Sequence, residues 1–261
     1  MLTVVKIGGN VIDDPQKLAD FLTDFAALEG FKILVHGGGK LATRFAERLG
    51  VPVKMHEGRR ITDTETLEII TMVYGGLINK QIVAQLQARD CNALGIIGAD
   101  LDLILASKRP IKNGIDYGWA GDVQRVDQLA FVRLIEAGAV PVVAPITHDG
   151  QGQLLNTNSD TIASAIASAL SGHFTTRLVY CFDKKGVLTH PEDENSLLPK
   201  INRALFEQYK AQGIISAGMI PKMENAFVAA ERGVEKVIVT RSDALAYLDS
   251  VDNFIGTVVE W

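Results

Sequence analysis

At 261 residues the chain is long enough to bury a sizeable hydrophobic core without disulfide or metal staples, and we predict that Cys91 and Cys181 are reduced core thiols. Hydrophobic residues make up 47% and charged residues 22%, and the net charge of −5 gives no signal for nucleic acid or an anionic membrane as a partner. No signal peptide is visible and no segment approaches the about 20 apolar residues that span a bilayer, so we expect a cytoplasmic protein.

Strand and helix signals alternate through the first half of the chain. We predict a strand at 2–7, a helix opening at Asp14 with Pro15 in its first turn, a strand at 31–36, a helix with Leu41, Phe45 and Leu49, a hairpin at 51–61, a long helix ending near Arg89, a strand at 94–97, a β-rich insertion at 103–126, a helix at 127–137 and a strand at 140–144. Thr62 and Glu65, three residues apart, form a capping-box pattern for the long helix.

The second half repeats the alternation. We predict a helix at 158–170, a strand at 178–182, helices at 202–212 and 221–232, a strand at 236–240 and a last edge strand at 257–260. No Pro- or Ser-rich linker separates the halves. We therefore expect an α/β fold, a three-layer αβα sandwich with a central, mostly parallel sheet, divided near residue 175 into an amino-terminal lobe (1–174) and a carboxy-terminal lobe (175–261).

Two glycine turns, Gly8-Gly9 and Gly37-Gly38-Gly39, each follow a buried strand and precede a helix. Their backbone N–H groups can surround an anion, although either turn could also be no more than a tight turn. Lys40 follows the triple glycine, but the remainder of the P-loop pattern is missing, and neither turn fits G-x-G-x-x-G. The absence of a G-x-S-x-G elbow argues against a serine hydrolase.

Three polar features stand where strands end or helices begin. Lys6 closes an otherwise apolar strand, which is uncommon unless the lysine snorkels or binds a ligand. The segment 156–160 combines two amides, a helix cap and an acid, and its alternative interpretation is a well-capped helix with Asn158 or Ser159 as the cap. Lys222 lies in the first turn of a helix, where the macrodipole disfavours a cation unless a phosphate is bound.

Six short motifs follow one another along the chain. They are Lys6-Ile7-Gly8-Gly9, Val35-His36-Gly37-Gly38-Gly39, Gly58-Arg59-Arg60-Ile61-Thr62, Ile78-Asn79-Lys80, Asn156-Thr157-Asn158-Ser159-Asp160 and Gly218-Met219-Ile220-Pro221-Lys222. In this order they resemble the amino acid kinase family, and within it the N-acetylglutamate kinases. The resemblance runs from residue 2 to Gly256-Thr257 and covers essentially the whole chain.

The resemblance implies ATP-dependent phosphorylation of the γ-carboxylate of an N-acyl-L-glutamate in arginine biosynthesis. A carboxylate is already ionised at neutral pH, so the transfer needs positioning and charge neutralisation and no general base. By the same resemblance, Lys6 and Lys222 would neutralise the transferring phosphoryl group, and Asp160 would hold both lysines in place.

The resemblance also implies binding residues for both substrates. The amino-terminal lobe would bind the acyl amino acid and dimerise, and the carboxy-terminal lobe would bind ATP around 183–186 and 213–222. The implied contacts are backbone N–H groups of Gly8, Gly9, Gly37 and Gly38 for phosphoryl oxygens, Arg60 and Asn156 for the α-carboxylate, and Asp183 and Gly218 for the nucleotide. Mg²⁺ would be held mainly by ATP oxygens and water.

Two departures from the family pattern concern the acyl group. Lys40 stands where the family often has proline, and Trp119 puts a bulky ring beside the expected acyl pocket. The Trp119 ring either packs as part of a lid or indicates that a different acyl group is bound. N-succinyl-L-glutamate is the alternative substrate, with Lys40, Arg59 or Lys54 as partner for its extra carboxylate. No extension precedes the first strand, so the resemblance implies a homodimer that is insensitive to arginine.

Rival interpretations remain within and outside this family. Another enzyme of the same fold would be a glutamate 5-kinase, carbamate kinase, aspartokinase or nucleoside monophosphate kinase, but Arg60 and the 156–160 segment favour an acylated amino acid with a free α-carboxylate. A non-catalytic metabolite sensor is disfavoured by the presence of Lys6, Asp160 and Lys222.

Overall fold

The fold is known from a computed structural model that describes residues 1–56, 58–190, 192–215, 218–250 and 252–261. The strands are β1 (Leu2–Ile7), β2 (Phe31–His36), β3 (Lys54–His56), β4 (Arg59–Ile61), β5 (Ala93–Ile96), β6 (Ile104–Lys108), β7 (Ala120–Val126), β8 (Val140–Val143), β9 (Ile146–His148), β10 (Leu154–Thr157), β11 (Thr176–Phe182), β12 (Lys200–Ile201), β13 (Lys236–Arg241) and β14 (Thr257–Val259). The helices are α1 (Gly9–Ile12), α2 (Pro15–Ala27), α3 (Gly39–Arg48), α4 (Thr64–Ile70), α5 (Asn79–Gln87), α6 (Gln128–Glu136), α7 (Ser159–Leu170), α8 (Arg203–Ala211) and α9 (Ile220–Glu231). A π-helical stretch, Thr71–Ile78, joins α4 to α5.

The central sheet has the strand order β12-β14-β13-β11-β1-β2-β8-β5. Its described neighbours pair in parallel except β13 and β14, which are antiparallel. The mostly parallel sheet is confirmed, but the prediction that the last strand lies at an edge was wrong. The outer position belongs to β12, whose two residues are too few to produce a period-two pattern.

Helices cover both faces of this sheet, which confirms the three-layer sandwich. Phe131 of α6, Ile166 of α7 and Phe227 of α9 are fully buried on one face. Phe25 of α2 and Ile82 of α5 are fully buried on the other. Side chains of a strand alternate between faces, so each central strand contributes to both cores and consists mainly of apolar residues.

The β-rich insertion forms a unit apart from the central sheet. Strands β6, β7, β9 and β10 close into a small barrel, in which β10 pairs in parallel with β7 and antiparallel with β9. The sequence analysis located β6 and β7 but did not separate β9 and β10 from their surroundings. This barrel matters for function because β10 ends at Thr157 and delivers the chain directly into α7.

The start of the long helix differs from the predicted capping box. Asp63 is the N-cap of α4, and its side chain accepts a hydrogen bond from the Thr66 backbone N–H at 3.0 Å. Thr62 is fully buried, and its backbone N–H donates to the Tyr117 carbonyl at 3.0 Å. Thr62 therefore ties the hairpin to the insertion, a tertiary role that its local pattern does not reveal.

Two expectations about the chain as a whole can be compared with the structure. Cys91 and Cys181 are both buried free thiols, as predicted, and burial raises the pKa of Cys181 to about 12. Among the described residues, none of the helices has the length and apolar character required to cross a bilayer.

Candidate active site

The alternation of side chains along β1 decides on which face of the sheet Lys6 lies. In β1, Val4 belongs to the core under α6, α7 and α9, whereas Val5 belongs to the opposite core. Lys6 therefore shares the face of Val4, at the end of the strand where α7 and α9 begin. The same face carries Tyr180, the register partner of Lys6 in β11.

Lys6, Asp160 and Lys222 meet at this end of the sheet. The Lys6 Nζ lies 2.7 Å from Asp160 Oδ1, and the Lys222 Nζ lies 3.1 Å from the same oxygen. Asp160 is in the first turn of α7, which Asn158 caps by accepting from the N–H groups of Asp160 and Thr161. The cap interpretation of the 156–160 segment is thus correct for Asn158, and the same turn brings the carboxylate to both lysines.

Aromatic residues of β11 complete the setting of the two lysines. The Tyr180 hydroxyl donates to the backbone carbonyl of Asp160 at 2.9 Å. The Lys222 Nζ lies 5.2 Å from the Tyr180 ring centre and 5.8 Å from that of Phe182. A cation that faces two ring surfaces is held in place without being neutralised.

This cluster stabilises the charged form of the buried Asp160 carboxylate. Burial raises the pKa of Asp160, but the charges of Lys6 and Lys222 outweigh it and hold that pKa well below its usual value. Burial, followed by the like charge of Lys6, lowers the pKa of Lys222, against the opposing effect of Asp160. One carboxylate thus faces two ammonium groups, which leaves a local excess of positive charge for an anionic ligand.

The two glycine turns lie next to each other beside this cluster. The Gly37 N–H donates to the Ile7 carbonyl at 3.0 Å, and a Cβ on Gly37 would come within 3.6 Å of Ser159 Oγ and 3.9 Å of the Gly9 nitrogen. Gly38 has a φ of +151°, and a Cβ there would come within 2.3 Å of Ile78 Cδ1. The close packing leaves room for glycine alone at position 38.

One cavity of about 280 Å³ opens beside the glycine turns, and we call it the substrate cavity. Its lining includes Gly37, Gly38, Arg60, Asn156 and Pro221. The residue after Pro221, Lys222, lines a different cavity, so the lysine cluster lies in the wall between the two. The four sequence-predicted substrate contacts are therefore brought together from distant parts of the chain: Gly37, Gly38, Arg60 and Asn156.

Arg60 and Asn156 are each anchored on one side. The Arg60 Nη2 donates to the Gly39 carbonyl at 3.0 Å and to Thr43 Oγ1 at 2.8 Å. Its Nη1 is buried and has no hydrogen-bond acceptor among the described residues. Asn156 Nδ2 donates to Thr62 Oγ1 at 2.9 Å. A buried guanidinium nitrogen without an acceptor is costly by itself, and a ligand carboxylate would supply one.

The residues considered for a different acyl group are mostly engaged elsewhere. Trp119 donates from Nε1 to Thr64 Oγ1 at 3.2 Å and packs against the core, and it is not among the residues that line the substrate cavity. The Lys40 ammonium donates to Asn10 Oδ1, and Lys54 lies 3.9 Å from Asp63. Arg59 does line the cavity.

A second cavity of about 310 Å³ lies in the carboxy-terminal part of the chain, and we call it the carboxy-terminal cavity. Asp183, Gly218 and Lys222 line it together with apolar side chains such as Val187 and Met219. Both predicted nucleotide contacts are thus in one place. Of the predicted segment 213–222, residues 216 and 217 lie outside the described residues.

The sequence analysis missed a buried polar pair behind the glycine loop, His36 and Asn79. Both residues are fully buried. The His36 Nδ1 lies 2.8 Å from the Gly37 carbonyl oxygen, and Asn79 Nδ2 lies 3.2 Å from His36 Nε2. Both residues stand inside motifs that the sequence analysis quoted, and a histidine that ends an apolar strand was the available signal.

Side chains that could ligate a metal ion do not cluster in the described part of the chain. Residues 1–56, 58–190, 192–215, 218–250 and 252–261 contain no group of three or more His, Cys, Asp or Glu side chains arranged to hold an ion. Asp160 is already shared by two lysines. The described side chains do not build a metal site of their own.

The chain is similar to known proteins over nearly its whole length. The sequence profile of the amino acid kinase family matches residues 1–241. The chain is 53% identical to the acetylglutamate kinase of Cytophaga hutchinsonii over 256 residues, 98% of this chain and 97% of that one. It is 56% identical to the acetylglutamate kinase of Bacteroides thetaiotaomicron over 244 residues, 94% of this chain and 95% of that one.

Solved structures show the same fold at lower identity. The N-acetylglutamate synthase from Neisseria gonorrhoeae complexed with coenzyme A and N-acetyl-glutamate has a TM-score of 0.84 and 20% identity, covers 100% of this chain, and is longer, so that this chain spans 59% of it. The carbamate kinase from Giardia lamblia bound to AMP-PNP has a TM-score of 0.72 and 13% identity, with 99% of this chain and 97% of that one covered. Both likenesses concern the fold alone.

Proposed function

Since this chain belongs to the amino acid kinase family, we propose that it transfers the γ-phosphoryl group of ATP to the γ-carboxylate of N-acetyl-L-glutamate, an activating step of arginine biosynthesis. The observation that carries this proposal is the pair of lysines on one carboxylate oxygen, in the wall between two cavities. High identity to two acetylglutamate kinases supports the acyl amino acid as the acceptor.

The proposed reaction forms one bond and breaks one. A γ-carboxylate oxygen attacks the γ-phosphorus of ATP, and the bond from that phosphorus to the β,γ-bridging oxygen breaks, giving an acyl phosphate and ADP. The attacking group is already an anion and the leaving ADP is stabilised by positive charge, so no proton has to be moved by the enzyme.

Lys6 and Lys222 are the groups that stabilise the transferring phosphoryl group. Their ammonium groups lie 2.7 and 3.1 Å from Asp160 Oδ1, an arrangement that keeps both fixed before the substrates bind. A pre-organised pair of charges requires no rearrangement as negative charge develops. Asp160 is a positioning residue in this scheme. The N–H groups of Gly8, Gly9 and Gly38 donate to phosphoryl oxygens. The role predicted for the Gly37 N–H does not fit, because that N–H already donates to the Ile7 carbonyl at 3.0 Å.

Each cavity receives one substrate. In the substrate cavity, the free Nη1 of Arg60 binds the α-carboxylate, and Asn156 contributes its amide. ATP occupies the carboxy-terminal cavity, next to Asp183 and Gly218. The two lobes, 1–174 and 175–261, thus bind different substrates across one continuous sheet. Mg²⁺ enters as the counter-ion of ATP, held by phosphate oxygens and water, and no step depends on a protein metal site.

We also propose that the enzyme is a homodimer. The outer strand of the sheet, β5, exposes Leu94, and the helical segment that precedes α5 exposes Met72 and Leu77. An open strand edge with exposed apolar side chains is a surface that proteins usually cover.

Hydroxamate trapping of the acyl phosphate, run together with a coupled ADP-release assay, tests the proposal. With MgATP and N-acetyl-L-glutamate, both signals should appear in equal amounts, and neither should appear without the acceptor. ADP release without hydroxamate would point to an ATPase and contradict the proposed transfer. A parallel assay with N-succinyl-L-glutamate should give no faster turnover, and a preference for the succinyl compound would move the proposal to that acceptor.

A further inference from the structure

His36 and Asn79 form a buried polar pair, and none of the hydrogen bonds of the described residues joins it to the lysine cluster. His36 ends β2 and Asn79 begins α5, and both side chains are fully buried. Buried polar groups of this kind are costly unless they are hydrogen-bonded, so their pairing has a structural or a functional reason.

The hydrogen bonds around the pair fix which nitrogen of His36 carries the proton. Asn79 Nδ2 donates to the Val142 carbonyl at 2.9 Å and lies 3.2 Å from His36 Nε2. An amide nitrogen cannot accept, so Nε2 must be the bare, accepting nitrogen of the ring. The hydrogen is then on Nδ1, which donates to the Gly37 carbonyl at 2.8 Å.

The orientation of the Asn79 amide is itself constrained. Turning it over would place Oδ1 against the Val142 carbonyl oxygen, which is repulsive. The amide oxygen as placed lies against the bare backbone of Gly95, where a Cβ would come within 2.0 Å of it, and it has no hydrogen-bond donor among the described residues. Gly95 gives the amide its space, and the bond to the Val142 carbonyl sets the orientation that selects the Nδ1–H form of His36.

The bond from His36 fixes the direction of one peptide group in the glycine loop. A trans peptide is planar, and its N–H points opposite to its C=O. If the Gly37 carbonyl is held toward the buried ring, the Gly38 N–H points away from it. Gly38 lines the substrate cavity, and its N–H has no acceptor within the described parts of the chain. Glycine on both sides of this peptide gives it little resistance to rotation without the ring.

We propose that His36 is a positioning residue, which in its Nδ1–H form, selected by Asn79, holds the Gly37–Gly38 peptide so that the Gly38 N–H faces the transferring phosphoryl group. The inference rests on the proposed function and deepens it, because it gives the glycine loop a cause for its orientation. The histidine is thereby a buried orienting group and neither a base nor a ligand.

Two substitutions at position 36 separate the two hydrogen bonds. In His36→Asn, the side-chain NH₂ takes the place of Nδ1–H and keeps the bond to Gly37, but the acceptor for Asn79 is lost. In His36→Gln, the longer amide reaches the place of Nε2 and keeps an acceptor for Asn79, but the donor to Gly37 is lost. If His36 only stabilised the fold, the activity of each variant would fall in proportion to its loss of stability.

The expected result is a crossover between activity and stability. His36→Asn should keep kcat within about threefold of the parent enzyme although its thermal midpoint falls, whereas His36→Gln should lose about 10- to 100-fold in kcat with a smaller change in midpoint, since one misplaced donor to a transition state costs up to that order. KM for both substrates should change little. Full kcat in His36→Gln, or equal losses that follow the thermal midpoints, would overturn the proposal.

A measurement that needs no turnover keeps the test independent of the proposed function. Two-bond ¹H–¹⁵N correlation spectra of the histidine-labelled protein at neutral pH distinguish the two tautomers, and the His36 signals are identified by their loss in His36→Asn. Protonation at Nδ1 supports the proposal, and protonation at Nε2 overturns it even if both variants fold poorly. If the parent enzyme formed no hydroxamate, the proposed function would be contradicted instead. The spectrum would still show which tautomer His36 adopts.

Discussion

The ammonium groups of Lys6 and Lys222, which come from opposite ends of the chain, contact the same carboxylate oxygen at 2.7 and 3.1 Å. Neither element brings its lysine there by local pattern alone. β1 places Lys6 on the face of α7 and α9, and the first turn of α9 places Lys222 opposite. Two cations on one acceptor leave net positive charge, and the following predictions depend on that excess.

Lys6→Ala and Lys222→Ala should each lower kcat by about 10²–10³-fold or more, because each removes a fixed charge that stabilises the transferring phosphoryl group. KM for N-acetyl-L-glutamate should change far less. Steady-state assays with Lys17→Ala, an exposed lysine of α2, serve as the matched control. Near-normal kcat in both variants would rule out the role assigned to the pair.

Asp160→Asn should lower both activity and stability. The amide can still accept a hydrogen bond, but it no longer balances two buried positive charges, and leaving buried charge without its partner costs about 3–5 kcal/mol. MgATP should raise the thermal midpoint more in this variant than in the parent, because phosphate supplies the missing negative charge. Glu136→Gln, on the exposed side of α6, is the control for the charge change. An equal MgATP shift in both proteins would contradict this explanation.

Arg60→Gln should raise KM for N-acetyl-L-glutamate by about 10- to 100-fold, the loss expected for a charge-assisted hydrogen bond. Arg60→Lys should recover little of this, because an ammonium cannot keep the bonds to Gly39 and Thr43 and also reach the ligand from Nη1. KM for ATP should stay near its parent value. Arg48→Gln, at the end of α3, the helix that contains Gly39 and Thr43, should leave both KM values unchanged.

The free energy of unfolding should decrease as pH falls through the range between the unfolded and folded pKa values of His36. Burial lowers the pKa of His36 from 6.5 to about 4, so the unfolded chain takes up a proton at a higher pH than the folded protein does. Stability from this group is therefore complete above pH 6.5 and is lost as pH falls toward 4, by about 3 kcal/mol in all.

Denaturant titrations of the parent and His36→Asn across this range measure that loss. The stability difference between the two proteins should shrink steadily as pH falls from 7 to 4, because the variant has no proton to take up at position 36. His173→Asn, at an exposed histidine after α7, should keep the parent profile. A constant difference at every pH would contradict the buried, neutral state of His36.

Leu94→Arg should convert the protein to a monomer if β5 forms the dimer interface. A charge on the exposed face of an outer strand opposes edge pairing with a second copy. Light scattering reports the mass directly, and Leu129→Arg, at another exposed leucine on α6, is the matched substitution. A parent protein that is already monomeric at micromolar concentration would contradict the proposed dimer.

Much of the fold follows from the sequence because local signals and tertiary structure agree. Asp14 caps α2 with Pro15 in its first turn, and Asn158 caps α7, as their local patterns predict. The sequence-based prediction was wrong where a long-range contact overrides the local pattern or where a strand is too short to have one. Thr62 resembled a cap but donates its backbone N–H to Tyr117, and β12 is too short to carry any period.

The sequence by itself determined which chemical groups are available and that they stand at strand ends and helix starts: Lys6, the glycine turns, Asp160 and Lys222. Only the tertiary structure decided that two of these groups share one oxygen, that Nη1 of Arg60 has no acceptor among the described residues, and that Asn79 meets His36 in the core. The physical reason is the distance along the chain over which each effect acts. Periodicity and capping act within a few residues, whereas distances, burial and proton positions depend on which distant strands and helices meet.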